Sequence, residues 1–288
     1  MLKRNLTAIV LISIALLFLL YLRTIHTAFA DVLFLAFAFL GGAEMFLVGR
    51  KSGYNALWIP LVVYAAAVYP CFWFFGATGV LAAFSLSSIA ALGDFILERK
   101  KYELKDLEYT VLILVYPMLL CSLFMLVNRS YGNLLGIFYI LFVTLLSDAF
   151  ALFAGMLFGK KKLIEDVSPK KTVAGAIGAF VGGLIGATVV LLSFDVFRVF
   201  DRLPNVGLTH LFDQVGFSVL AYLLFAPVCT LLAIIGDLAA SWLKRKMGVK
   251  DFGKIFPGHG GVMDRLDSLL FVVPSVFFFF VIYNGAAL

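Results

Sequence analysis

Apolar runs long enough to cross a bilayer recur along the whole chain, and this repetition constrains the fold more than any other feature. A transmembrane helix needs about 20 mostly apolar residues. Of the 288 residues, 63% are apolar and only 14% are charged, too few to cover the surface of a soluble domain of this size. The sequence therefore predicts an all-α, polytopic integral membrane protein.

The apolar runs predict about nine transmembrane helices, arranged in two parts. Residues 1–130 would hold about five N-terminal helices, and residues 131–288 would hold the remaining helices, with cytoplasmic loops 159–172 and 244–267. The first run follows Lys3 and Arg4, but further spans come after it, so we interpret it as a retained helix and not as a signal peptide. The predicted spans are 6–22, 28–49, 55–75, 77–97, 109–127, 134–158, 173–194, 215–243 and 268–284.

The distribution of basic residues predicts the orientation. If the N-terminus is cytoplasmic, all but four of the 23 basic residues fall in cytoplasmic segments. Lysine and arginine are enriched in this way in cytoplasmic loops. The asymmetry accounts for the net charge of +6 without a nucleic-acid partner. The four exceptions are Arg23, Arg129, Arg198 and Arg202.

Two predicted cytoplasmic loops, 159–172 and 244–267, combine basic residues with Gly, Pro, Ser or Thr. In the first loop, Lys170 and Lys171 precede a predicted helix, and Ser168 or Thr172 would cap that helix. Its N-terminus would then favour an anion at the cytoplasmic surface. The alternative is that the lysines only anchor the loop to lipid headgroups. Because both loops that combine basic residues with turn and phosphate-binding residues are cytoplasmic, any chemistry is predicted to face the cytoplasm.

Four carboxylates lie at predicted membrane depth, where ionised groups are costly and each is a candidate functional residue. Asp94 is close enough to the end of its span to reach water. Glu44 has a functional or a structural role, for instance by pairing with a basic loop residue. Asp148 is the third, and Asp237 is the strongest candidate.

Asp237 begins a polar stripe on its helix, with Ser241, Lys244 and Arg245 at helical spacing after it. A deep carboxylate with cations nearer the cytoplasm suits a metal and a polyphosphate. Asp264 and Asp267 are three residues apart and would share a helical face, where they repel each other unless a cation lies between them. Hard oxygen ligands favour Mg²⁺.

The glycines before Asp264 let the backbone turn tightly and bring N–H groups close to a phosphate. Glycines at four-residue spacing in span 173–194 allow two helices to approach closely. Packing within the chain and dimerisation are both compatible with that spacing. The five glycines are Gly175, Gly178, Gly182, Gly183 and Gly186.

The stretch from Ser241 to Asp267 resembles the signature of the phosphatidate cytidylyltransferase (CDP-diglyceride synthase) family. The Ser147-Asp148 pair and the run from Ser168 to Thr172 resemble upstream motifs of that family. The matching positions of the stretch are Ser241, Lys244, Arg245, Lys250, Asp251, Gly253, Pro257, His259, Gly260, Gly261, Asp264, Arg265 and Asp267.

The resemblance implies a multi-helix enzyme, usually dimeric, with a polar cavity facing the cytoplasm and a divalent metal such as Mg²⁺. Its substrates would be CTP and phosphatidic acid, and its location a bacterial inner membrane. By position, Asp237, Asp264 and Asp267 would bind the metal, and Asp148 would be a further acidic residue of the cavity.

The chain departs from the family at several positions near the expected site. The family usually has Thr-Gly where this chain has Ala149 and Phe150. A glutamate is common at the positions of Ala174 and Ala240. Each departure removes a polar group, which bears on substrate details and activity.

The resulting hypothesis is that the phosphate of phosphatidic acid attacks the α-phosphorus of CTP and pyrophosphate leaves. Lys170, Lys171, Lys244 and Arg245 would hold the triphosphate. Lys250, Arg265 and the backbone of His259, Gly260 and Gly261 would bind the other phosphate, and this division between the substrates is left open. His259 is either a proton carrier or a residue that stabilises the turn. Ser168, Thr172 and Ser241 complete the predicted substrate-binding set.

Three other classes of protein stay open. The first is a CTP-dependent polyprenol or phytol kinase, or a related lipid cytidylyltransferase. The second is a transporter that uses the intramembrane carboxylates as an ion path. The third is a non-catalytic membrane scaffold.

Overall fold

The computed structural model describes residues 13–14, 16–129, 132–165, 167–256 and 260–286. Within this part of the chain, seven helices are long and apolar enough to cross a membrane, which agrees with an integral membrane protein. A short helix α1, made of a π-helical turn Leu17–Leu22 and Arg23–Ile25, precedes them. The seven are α2 (Ala28–Lys51), α3 (Trp58–Leu97), α4 (Leu104–Arg129), α5 (Asn133–Phe158), α6 (Val173–Val196), α7 (Val215–Lys246) and α8 (Met263–Ala286).

Helix α3 is 40 residues long and reverses direction at Gly76. This glycine has φ 58° and ψ −129°, a conformation that residues with a side chain rarely adopt. A Cβ atom at Gly79 would overlap the backbone of Cys71, so the two arms run back closely against each other. The arms correspond to the predicted spans 55–75 and 77–97. The total of nine spans stays a prediction, because residues 6–12 and 15 of the span 6–22 lie outside the described residues.

Helices α5 and α6 form the closest pair in the bundle. Gly178, Gly182 and Gly186 of α6 lie directly against the backbone of α5, where a Cβ at any of them would clash. All three are buried within the chain. The glycine spacing therefore serves intramolecular packing, and it gives no support to dimerisation.

The loop between α5 and α6 departs from the all-α prediction. It contains an antiparallel hairpin of strands β1 (Lys162–Ile164) and β2 (Ser168–Thr172). Of the two predicted caps, Thr172 is the one that acts, because its Oγ1 accepts a hydrogen bond from the Gly175 N–H at 3.0 Å. Ser168 lies at the other end of β2 and caps nothing.

The opposite end of the bundle is tied together by buried charges. Asp31 forms an ion pair with Arg129, with 2.6 Å between Oδ2 and Nε, and accepts a hydrogen bond from the Asn128 side chain at 2.8 Å. The Arg23 guanidinium donates to the Asn128 side chain at 2.8 Å. Each buried charge thus has a partner, as the low dielectric of the interior requires. This network joins α1, α2 and α4 and leaves the β-hairpin end for the candidate site.

Candidate active site

A cavity of about 950 Å³ lies at the hairpin end, between α5, α6, α7 and α8. Strand β2 and the loop between α7 and α8 also line it. Its charged lining contains five carboxylates and four cations, a formal balance of −1. These residues are Asp148, Asp237, Asp251, Asp264 and Asp267, with Lys170, Lys171, Lys244 and Arg265.

Lys171 and Asp237 form an ion pair across the cavity, with 2.7 Å between Nζ and Oδ2. Lys171 is on β2 and Asp237 is on α7, so the pair links the hairpin to the helix wall. The Ser241 hydroxyl lies one turn along α7, and its Oγ is 3.5 Å from the Asp237 Oδ1, at the limit of a hydrogen bond.

Asp264 organises the loop between α7 and α8. Its Oδ1 is 2.8 Å from the Lys244 Nζ, and its Oδ2 accepts from the backbone N–H groups of Phe252 and Gly261, each at 2.9 Å. A carboxylate that accepts several charge-assisted or backbone hydrogen bonds is held firmly in one orientation. The predicted metal ligand Asp264 and the predicted triphosphate ligand Lys244 are therefore partners of each other in this structure.

Glu44, whose role the sequence left open, holds the start of α8. Its two carboxylate oxygens accept from the backbone N–H groups of Val262 at 3.0 Å and Met263 at 2.9 Å. A carboxylate at a helix N-terminus accepts hydrogen bonds from the unpaired N–H groups there. Its negative charge is also stabilised by the positive end of the helix dipole. A Cβ at Gly253 or Gly261 would overlap the Glu44 carboxylate, so this site is filled from within the chain. No basic loop residue in the described part of the chain forms an ion pair with Glu44.

Asp148 and Asp267 complete the acidic side of the cavity. The Asp148 carboxyl interacts with the Ser268 side chain. Asp267 accepts from the Ser268 N–H through Oδ1 at 2.9 Å. Both carboxylates act electrostatically on each other and on Asp237. Among the described residues, neither of the two is in an ion pair.

The carboxylates of this cluster offer only oxygen donors, the type of ligand that a hard divalent cation such as Mg²⁺ prefers. The excess of carboxylates over cations also favours one, since a triphosphate would otherwise be repelled. The cluster is not assembled around an ion, because Lys171 and Lys244 neutralise Asp237 and Asp264. Within the described part of the chain, no group of three or more acidic, histidine or cysteine side chains is close enough to hold a metal.

The cavity contains only part of the substrate-binding set predicted from the sequence. Thr172, Lys170, Lys171, Lys244 and Arg265 line it. His259 lies outside the described residues. The predicted residues that do not line the cavity are Ser168, Ser241, Arg245, Lys250, Gly260 and Gly261.

One wall of the cavity is apolar and faces outward, a feature that motif analysis missed. Leu145, Leu152 and Met156 of α5 line the cavity and are also 58%, 61% and 65% exposed. In a helix that crosses a membrane, exposed apolar side chains contact lipid. The charged cluster is therefore continuous with a surface that lipid would cover. These three residues recur at helical spacing in the sequence. The same pattern occurs in any transmembrane helix, so it did not indicate a cavity wall.

Comparison with known proteins decides the family. The sequence model of the cytidylyltransferase family matches residues 2–283, nearly the whole chain. The chain belongs to the cytidylyltransferase family. The family resemblance found in the sequence is thereby confirmed.

Several curated members of the cytidylyltransferase family align with this chain, and each of the following is named phosphatidate cytidylyltransferase. The Helicobacter pylori protein is 32% identical over 276 residues, 93% of this chain and 88% of its own length. The Mycobacterium bovis protein is 31% identical over 77% of this chain and 70% of its own length. The Thermotoga maritima protein is 36% identical over 60% of this chain, and the alignment spans 58% of that relative.

Proposed function

We propose that the chain is a phosphatidate cytidylyltransferase, which converts CTP and phosphatidic acid to CDP-diacylglycerol and pyrophosphate. The observation that carries this proposal is a single cavity in which a cluster of charged groups meets an apolar wall that opens toward lipid. A phosphate headgroup and its acyl chains need those two surfaces side by side. The family membership and the names of the relatives support the same reaction.

The apolar wall supports a substrate that stays in the membrane. With its acyl chains along Leu145, Leu152 and Met156, a lipid phosphate would lie level with the carboxylates and cations of the cavity. A water-soluble acceptor would not need an outward-facing apolar wall.

The nucleotide phosphates have a separate set of partners. Of the four cations that line the cavity, Lys244 is bonded to Asp264 and so helps to hold the loop between α7 and α8. The other three are Lys170, Lys171 and Arg265. The N-terminus of α6 also lies at the cavity, with its first turn capped by Thr172. The N-terminus of α8 is already filled by Glu44. The α6 end is therefore the helix terminus that favours an added anion.

In the proposed reaction, a phosphate oxygen of phosphatidic acid attacks the α-phosphorus of CTP. A new P–O–P linkage forms as the bond between the α-phosphorus and the bridging oxygen breaks, and pyrophosphate leaves with the electron pair. The attacking phosphate is already anionic at neutral pH, so no strong general base is required. The protein has to position the two phosphates and neutralise their charge.

A divalent cation, when bound, would supply charge neutralisation at the phosphates. Asp237, Asp264 and Asp267 would hold it, with Asp148 as a further acidic group, once the lysine pairs of Asp237 and Asp264 open and these carboxylates draw together. In the same cavity Lys171 and Arg265 bind and orient phosphate oxygens. The role of His259 stays a prediction.

A bacterial cell membrane, with the hairpin end in the cytoplasm, is supported by the basic loops at that end and by the bacterial relatives. CTP is a cytoplasmic substrate, so this orientation also places the cavity where the nucleotide is available. A homodimer is proposed from the family alone.

Purified protein in mixed micelles tests the function directly. With Mg²⁺, phosphatidic acid and CTP labelled at the α-phosphate, we expect label in the lipid product and release of one pyrophosphate per lipid. A kinase would instead transfer label only from CTP labelled at the γ-phosphate. If neither label reaches the lipid while an established family member is active in the same micelles, the proposed function is wrong.

A further inference from the structure

Tyr116 of α4 was not singled out by the sequence, and it occupies an unusual stretch of helix. Residues Leu114–Leu119 form a π-helical turn that contains Pro117. Proline lacks an N–H and clashes with the carbonyl four residues earlier, and a wider turn accommodates it. Single π-helical turns within α-helices frequently occur at functional sites. Tyr116 is 7% exposed, so the turn directs its side chain into the bundle.

The Tyr116 hydroxyl is buried and has no hydrogen-bond partner among the described residues. Buried polar atoms are nearly always hydrogen-bonded, so an orphaned hydroxyl requires an explanation. Four other buried tyrosines of this chain satisfy the rule. Tyr64 bonds to Ser122, Tyr109 to the Met45 carbonyl, Tyr139 to the Tyr222 carbonyl, and Tyr222 to Asp195.

The side chain of Tyr116 lies beside the carboxylates of the cavity. Its ring packs edge-on against Phe271 of α8, with 5.9 Å between the ring centroids and 77° between the planes. Phe271 is one helical turn beyond Asp267 and shares its face of α8. The hydroxyl is within electrostatic range of the carboxylates of the site, and Asp267 acts on it most strongly. Tyr116 does not line the cavity, so it does not contact a substrate held there directly.

We propose that Tyr116 is a positioning residue whose hydroxyl donates a hydrogen bond to the Asp267 carboxylate in the substrate-bound state. Among the described residues, Asp267 accepts only from the N–H of its neighbour Ser268, through Oδ1, which leaves Oδ2 available. A donor from α4 would fix the plane of this carboxylate as the cavity fills with phosphates. The inference rests on the proposed function, since it assigns Asp267 to the substrate site.

The test compares Tyr116→Phe with Tyr64→Phe, which removes a partnered hydroxyl elsewhere in the bundle. Losing a group that orients a ligating carboxylate typically lowers activity 10- to 100-fold, so we expect a loss of about that size in kcat/KM for Tyr116→Phe. Tyr64→Phe should keep wild-type kinetics. The second readout is thermal denaturation of the detergent-solubilised protein, with and without CTP and Mg²⁺.

The two variants should behave in opposite ways in that measurement. Without ligand, Tyr116→Phe should melt at the wild-type temperature or above, because the variant removes an unpaired buried polar atom. Tyr64→Phe should melt lower, since it leaves the Ser122 hydroxyl without this partner. The added stabilisation by CTP and Mg²⁺ should shrink in Tyr116→Phe and persist in Tyr64→Phe.

Two results would overturn the inference. One is a Tyr116→Phe protein with wild-type kinetics and wild-type stabilisation by CTP and Mg²⁺, which would leave the hydroxyl without a role. The other is a loss of activity accompanied by a lower melting temperature without ligand, which would indicate a structural role. Failure of the proposed function can be told apart from failure of this inference. In that case the wild-type protein itself would form no CDP-lipid, while stabilisation by CTP and Mg²⁺ could still be compared between the wild type and the two variants.

Discussion

Lys171 and Asp237 lie 2.7 Å apart, and this ion pair joins the β-hairpin to helix α7 across the cavity. The ammonium group occupies the position beside the carboxylate that a bound cation would take. In the absence of ligand, it balances a charge that would be costly to leave alone. Binding of a triphosphate would give Lys171 a new anionic partner and release Asp237 for a cation.

This relationship predicts the effect of replacing Lys171 with methionine. The variant leaves Asp237 without its neutralising charge and, under the proposed function, lacks a direct partner for the CTP phosphates. A hydrogen bond to a charged group contributes about 1.5–3 kcal/mol, so kcat/KM for CTP should fall about 10- to 100-fold. Initial rates of pyrophosphate release at varied CTP concentration measure this change.

Lys160→Met is the matched control for that variant. Lys160 belongs to the same loop and carries the same charge, but it is exposed and does not line the cavity. Its removal should alter the rate less than twofold. Equal losses in the two variants would show that the lysines act through general attraction to the membrane surface and not through the Asp237 pair.

Removal of divalent cations provides a second prediction. A chelator should abolish CDP-lipid formation, and added Mg²⁺ should restore it. The melting temperature of the ligand-free protein should stay unchanged, because Lys171 and Lys244 already balance Asp237 and Asp264. A marked fall in melting temperature on chelation alone would instead indicate a structural metal, which contradicts the arrangement of lysine partners.

The sequence predicted the helical membrane class and most helix positions because a bilayer demands continuous apolar runs. It also predicted which carboxylates share the cavity, since their motif spacing is specific. It could not predict pairings between distant segments. Glu44 is 218 residues from the N–H of Val262, and nothing near Glu44 in the sequence indicates that partner. Lys170 to Thr172 were expected in an irregular loop, because a short hairpin has too few residues for a clear alternating pattern.

The contact of Glu44 with the start of α8 leads to a third prediction. In Glu44→Gln, one side-chain oxygen can still accept a hydrogen bond, but the NH₂ group would face the second backbone N–H. An unsatisfied buried donor costs about 1–3 kcal/mol, so the free energy of unfolding should fall by roughly that amount. Denaturation of the detergent-solubilised protein measures it. Activity should fall as well, because α8 carries Asp264 and Asp267.

Glu108→Gln is the control for this substitution. Glu108 is exposed, and its replacement by the neutral amide should leave stability and activity close to wild type. If Glu44→Gln proved as stable as Glu108→Gln, the Glu44 carboxylate would not be what holds the helix start.

The two aspartates of α8 should respond differently to the same change, which is the fourth prediction. Asp264 is bonded to Lys244 and to two backbone N–H groups, so Asp264→Asn should lower both activity and stability. The loss of stability should be about 1–3 kcal/mol. Asp267 has no ion pair among the described residues and lies near like charges. Asp267→Asn should therefore leave stability unchanged or raise it.

Both variants should lose activity by about 100-fold or more, the scale expected when a group that stabilises transition-state charge is removed. Paired measurements of kcat/KM and of unfolding on the two variants separate the roles. The assignment of Asp264 as the anchor of the loop would fail if its variant were as stable as wild type. The assignment of Asp267 to the substrates would fail if its variant kept wild-type turnover, since among the described residues its carboxylate bonds only to the N–H of the neighbouring Ser268.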